Sequence, residues 1–99
     1  MAKLTSKSSN ETSFHDTYLT STVSIIKEKF GEPQSEYNYG EDKSNFDWIG
    51  ETENGDVFTI YDWKEYRVLD ENETIEFHIG GRNHIVTSKA KTELRVLGI

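Results

Sequence analysis

Two segments of this chain concentrate side chains suited to gripping a small ligand. The first is Val57-Phe58-Thr59-Ile60-Tyr61-Asp62-Trp63-Lys64. Its alternation places Tyr61 and Trp63 on one strand face, as surfaces on which a nucleobase stacks, with Lys64 beside them as a point charge. The second is Phe77-His78-Ile79-Gly80-Gly81-Arg82-Asn83-His84. Gly80-Gly81-Arg82-Asn83 reads as a junction between a strand and a helix. Free amides and aligned peptide dipoles at a helix start favour a phosphate, and glycines let the backbone approach it. Arg82 adds a fork of donors, His84 sits one position into the helix, and His78 is placed to donate to a phosphate or a base edge. Bland readings stand beside these. Gly-Gly is also a common tight turn, and Tyr61 and Trp63 also suit a core. Trp48 reads as core.

Other chemistries find little material here. With no cysteine, thiolate metal sites and disulfides are excluded. His15, His78 and His84 match no ligand spacing, so no metal and no cofactor is expected. No serine or threonine sits in a nucleophile elbow, and the carboxylates are scattered in the manner of a solvated face. The expectation is a binding protein, not an enzyme.

The elements that position these groups can be read from periodicity. Residues 12–19 are rich in β-branched and aromatic side chains and suit a short strand that carries Tyr18. Ser21 or Thr22 caps a helix whose Val23, Ile26 and Phe30 share one buried face. Gly31 closes it and Pro33 blocks continuation. Residues 34–45 read as a polar loop. A strand over about 45–52 meets Asn54-Gly55, a hairpin signal in which both turn positions take positive φ. The returning strand, about 56–64, puts Phe58 and Ile60 on one face and Val57, Thr59, Tyr61 and Trp63 on the other. A third strand over 74–79 is broken by Gly80-Gly81. Asn83 then caps a last helix with Val86, Ala90, Leu94 and Leu97 as its apolar stripe, closed by Gly98. The expected fold is α+β: a three-stranded antiparallel meander, a possible short N-terminal strand, and two packed helices.

Size and charge bound the rest. A chain of 99 residues is one domain, and it buries roughly 60–65% of its unfolded surface. Residues 1–11 are polar and rich in Ser and Lys, and read as a flexible arm ahead of a single domain over 12–99. Eighteen acids against eleven bases give a formal charge of −7, which disfavours DNA, RNA and anionic lipid as partners. A small anionic ligand stays open, since screening over roughly 8–10 Å lets local donors outweigh a distant net charge. No apolar run approaches a membrane span or a signal core, so a cytoplasmic location is expected.

An ordered set of motifs resembles a widespread family of small bacteriophage proteins. The set is Ser13-Phe14-x-x-Thr17-Tyr18-Leu19, Phe30-Gly31-Glu32-Pro33, Asp42-Lys43 ahead of Trp48, Ile60-Tyr61-Asp62-Trp63-Lys64, and His78-Ile79-Gly80-Gly81. It spans about residues 12–97. Within that group the chain is most similar to the anti-CBASS sponges, although His15-Asp16 stands where a more variable pair is expected. The resemblance implies a non-enzymatic protein that sequesters cyclic dinucleotide defence signals, 3′,3′-cyclic GMP-AMP above all, as a homo-oligomer, with a tetramer implied, in the cytoplasm of an infected bacterium. It also implies Tyr18, Tyr61, Trp63, Lys64, His78, Gly80 and Gly81 as candidate contacts, while Arg82, Asn83 and His84 rest on the helix-start argument. The rival expectation is an acidic inhibitor that imitates DNA charge and occupies a host protein.

Overall fold

The computed structural model describes residues 1–99. It contains strands β1 (Lys3–Leu4), β2 (Ser13–Ser21), β3 (Ser35–Glu36), β4 (Phe46–Glu51), β5 (Val57–Tyr61) and β6 (Ile75–Gly81), with helices α1 (Val23–Lys29) and α2 (His84–Val96). The strands form one antiparallel sheet in the order β1-β4-β5-β6-β2, with β3 also paired to β4. This is the expected α+β architecture. The meander β4-β5-β6 is its centre, and β2 returns to close one edge.

Alternation along each strand sorts the sheet into two faces. Phe46 and Trp48 of β4, Phe58 and Ile60 of β5, Phe77 and Ile79 of β6, and Leu19 of β2 are fully buried. They pack with Val23 and Ile26 of α1 and Ala90 and Leu94 of α2 in one core. Each helix begins where a side-chain oxygen satisfies a free amide. Thr22 accepts from Ile25 N–H at 3.0 Å, and Asn83 accepts from Val86 N–H at 3.0 Å. Trp48, buried, donates its indole N–H to Gly31 O at 2.9 Å and so locks the end of α1 onto the sheet.

Four features differ from the sequence expectation. First, the expected flexible arm is docked in part: Lys3–Leu4 pairs with Gly50–Glu51, Ala2 is buried, and Lys7 bridges to Glu51. A two-residue strand carries no periodicity, so only the ladder reveals it. Second, β4's outer edge is divided between β1 and β3, and the Gln34 side chain bonds to Ile49 N–H and O in the gap. Third, the β4–β5 turn is longer than a two-residue hairpin. Gly55 alone takes positive φ, and Thr52 closes the loop through Gly55 N–H and Asp56 O.

The fourth difference alters the functional reading. Gly80 and Gly81 do not break β6: they pair with Phe14 and Ser13 on one side and with Thr59 and Phe58 on the other. Their amides are held within the sheet and do not form a phosphate cradle. A Cβ on Gly81 would meet Thr87 Cγ2 at 2.9 Å, so this glycine lets α2 approach the strand closely.

The two faces make opposite demands on aromatic residues. Phe77→Ala should cost about 3–5 kcal/mol as a core truncation. Trp63→Ala, on a half-open ring, should cost under about 1 kcal/mol. Urea unfolding of both variants checks the difference, and equal losses would contradict the assignment of faces.

Candidate functional site

The sheet face opposite the core and the helices carries a cluster of rings. Its backbone frame is a register row that crosses four strands: Tyr18 faces His78, His78 faces Tyr61, and Tyr61 faces Asp47. Cross-strand neighbours of this kind lie about 5 Å apart, within reach of ring-to-ring contact. The next row runs Phe14, Gly80, Thr59 and Ile49.

His78 is the hub of the cluster. Phe14 stacks on its imidazole at 4.0 Å between centroids and 19° between planes. Tyr18, Tyr61 and Trp63 approach it at 5.3, 5.5 and 6.1 Å. Tyr18 and Trp63 remain 37% and 39% exposed, so this is a presented surface and not a second core. Burial among the rings pushes the His78 pKa below its ordinary value, with the Glu76 charge opposing.

Two lysines flank the outermost ring. Lys64 Nζ lies 5.5 Å and Lys43 Nζ 5.9 Å from the Trp63 centroid, within cation–π range. Their backbones are joined, since Lys64 N–H donates to Lys43 O at 2.7 Å. Lys64 takes φ +55°, as Tyr66 takes +50°, in a region that costs side-chain-bearing residues about 1–2 kcal/mol. That strain turns the chain sharply just after Trp63.

Asp62 holds the arrangement from below. It is fully buried and its carboxylate accepts from Asn45 N–H at 2.9 and 3.0 Å, from the Asn45 side-chain amide at 3.1 Å, and from Phe46 N–H at 2.8 Å. The end of β5 is thereby fixed to the start of β4, with Tyr61 and Trp63 projecting on the opposite side from Asp62. At the other edge β2 carries two extra residues between Phe14 and Tyr18, with Asp16 at φ +62°. Phe14 and Tyr18 are thereby drawn together, to 5.1 Å between rings.

The sequence candidates divide into two groups. Tyr18, Tyr61, Trp63 and His78 meet in one cluster with Lys64 at its rim. Gly80 sits in the row beside it, where a Cβ would come within 2.5 Å of Thr59 Oγ1. Arg82, Asn83 and His84 serve elsewhere. Arg82 pairs with Asp56 at 3.2 Å beside a separate hollow that also holds Glu11. The Asn83 side chain is spent on the helix cap. His84 Nδ1–H donates to His15 O at 2.9 Å, and its Nε2 meets Ser88 Oγ at 3.1 Å. It pins the β2 bulge to α2, so its ring is engaged where the sequence reading expected a phosphate donor.

Sequence reasoning left Phe14, Lys43, Ser44 and Asp47 out of the candidate set. Ser44, Asp47, Thr59, Tyr61, Trp63, Thr12 and Ser13 line a shallow hollow of about 250 Å³. A neighbouring hollow of about 420 Å³ shares Ser44 and Asp47 and adds Tyr37 and Lys43. Ser44 and Asp47 thus stand between the two hollows. Phe14 and Lys43 stood in the resemblance motif, but only their partners across the fold mark them as site residues. No three His, Asp or Glu side chains lie close enough to hold a metal ion.

Comparison with protein-family models, curated proteins and solved structures finds no match to this chain.

Two outcomes test this geometry. Asp62→Ala strands two buried backbone donors and should cost about 2–4 kcal/mol in urea unfolding; a loss under about 1 kcal/mol would contradict its anchoring role. The depressed His78 pKa means that the unfolded chain binds a proton first as pH falls below about 6.5. Its contribution to stability is therefore complete above that pH and is lost as the pH drops toward the folded value. Melting temperatures at pH 7.5 and 5.5 should differ less in His78→Phe than in the native protein; an equal difference would contradict it.

Proposed function

We propose that this chain binds and sequesters a cyclic dinucleotide without cleaving it, and that it acts as a phage protein against a bacterial cyclic-nucleotide defence. The observation that carries the reading is the half-exposed ring cluster of Phe14, Tyr18, Tyr61, Trp63 and His78, rimmed by two ammonium groups. Base stacking on an aromatic side chain is worth about 1–3 kcal/mol per base, and a lysine at the edge of the stack meets a phosphate. A ligand with two bases and two phosphates calls for this inventory. The ordered motifs that resemble the phage family favour the same reading, since the Ser13-Phe14-x-x-Thr17-Tyr18, Tyr61-Asp62-Trp63-Lys64 and His78-Ile79-Gly80-Gly81 segments together supply the cluster. Assembly as a homo-oligomer, tetrameric by the resemblance, and action in the host cytoplasm belong to this proposal.

The rival reading, a DNA-charge mimic, finds less support. The acids engaged locally include these six of the eighteen: Glu51 with Lys3 and Lys7, Glu36 and Glu71 with Lys27, Glu65 and Glu73 with Arg67, and Asp56 with Arg82. Carboxylates grouped around interspersed cations do not present an uninterrupted phosphate-like row.

Thermal melting against a panel of cyclic di- and trinucleotides tests the proposal. A ligand at one hundred times its dissociation constant adds about 2.7 kcal/mol of stability, so a selective rise in midpoint is expected. A flat panel would overturn it. Lys64→Ala should weaken binding by about 1.5–3 kcal/mol, and Trp63→Ala by about 1–3 kcal/mol. Arg82→Ala should leave affinity unchanged, because Arg82 lies beside a different hollow; calorimetry on the three variants checks the ranking.

A further inference from the structure

Asp47 is an unusual group for this surface. It is half-buried, yet no lysine, arginine or histidine nitrogen lies within ion-pair distance, whereas the other half-buried carboxylates, Glu51, Asp56, Glu65 and Glu73, each have one. Its only side-chain partner is the Ser44 hydroxyl, which donates at 3.0 and 3.3 Å. A carboxylate has roughly four acceptor sites, so most of its capacity is unspent. Burial, and secondarily the charge of Asp62, hold its pKa above the usual carboxylate value against that hydrogen bond. Such a group gains from any donor that enters the hollow.

Its position defines what that donor is. Asp47 faces Tyr61 directly across the β4–β5 ladder, and both line the hollow that also contains Trp63. A flat ring laid against Tyr61 or Trp63 therefore presents its edge to an acceptor-only group. Guanine carries two adjacent donors on one edge, N1–H and the N2 amino group, which match the two oxygens of a carboxylate. Adenine presents one amino donor beside an acceptor nitrogen, and that acceptor would face a carboxylate oxygen with no proton between them.

We infer that Asp47 reads the edge of the stacked base and makes this site selective for guanine over adenine. The inference rests on the nucleotide-binding reading above and adds to it the identity of the base. A matched pair of hydrogen bonds to a base edge distinguishes it from the wrong base by about 1–3 kcal/mol, which is about 5- to 150-fold.

The test uses two ligands that differ only in their bases. Calorimetry of the native protein with cyclic di-GMP and cyclic di-AMP should give at least about fivefold tighter binding of the guanine ligand. Asp47→Asn replaces a pure acceptor by one donor and one acceptor, which suits adenine, and should abolish or invert that preference. Equal affinity for both ligands in the native protein, or a preference that survives Asp47→Asn, overturns the assignment and leaves nucleotide binding standing. Binding of neither ligand overturns this inference, and the flat melting panel then distinguishes failure of the wider proposal. The native selectivity needs no variant, so a poorly folded Asp47→Asn does not shield the claim.

Discussion

The buried carboxylate of Asp62 is the constraint from which the presented surface follows. Residues Phe58 and Ile60 establish an inward parity along β5, and Asp62 continues it into the core. A charge placed there without partners would cost several kcal/mol, and this one is compensated by hydrogen bonds from Asn45 and Phe46. Meeting that demand fixes the start of β4 against the end of β5. Once Asp62 points inward, Tyr61 and Trp63 must point outward, and the sheet acquires an aromatic face opposite its core. The sharp turn at Lys64 then carries its ammonium group back over Trp63.

A second tie acts from the far edge. The bulge in β2 would leave backbone groups unpaired, and His84 at the start of α2 supplies a donor to His15 O. Thr17 and Thr87 add a buried hydrogen bond of 2.7 Å beside it. The helix on the core side thus sets the shape of the strand whose Phe14 and Tyr18 complete the ring cluster. His84 contributes to the surface by holding its edge.

Much of this was legible in the chain. The apolar periods of α1 and α2, their caps at Thr22 and Asn83, and the meander with its two faces all follow from local patterns that the tertiary structure respects. The pairing of Tyr61 with Trp63 followed from parity alone. What escaped was whatever depends on a distant partner. Gly80-Gly81 carries a turn signature, yet two flanking strands supply ladder bonds that keep it extended. Lys3–Leu4 is too short to show a period and becomes a strand only because β4 offers a free edge. Asp47 looked like one acid among eighteen, and its distinction, half-burial without a counter-charge in a hollow beside Tyr61 and Trp63, exists only after folding. A polar residue at inward parity, as in Ile60-Tyr61-Asp62, is the one signal that sequence reading left unused.

The central claim is that the outer sheet face, and not the helix start, is where a ligand sits. Two tryptophans make the claim measurable, because Trp63 is half-open on that face while Trp48 is fully buried with its indole bonded to Gly31 O. The direct measurement is an amide and indole NMR titration with cyclic di-GMP. Saturable shifts at the Trp63 indole and at Phe14, Tyr18, Tyr61 and His78, with the Trp48 indole and Arg82 to His84 unmoved, are the predicted result. Shifts confined to Arg82, Asn83 and His84, or none at saturating ligand, would contradict the account.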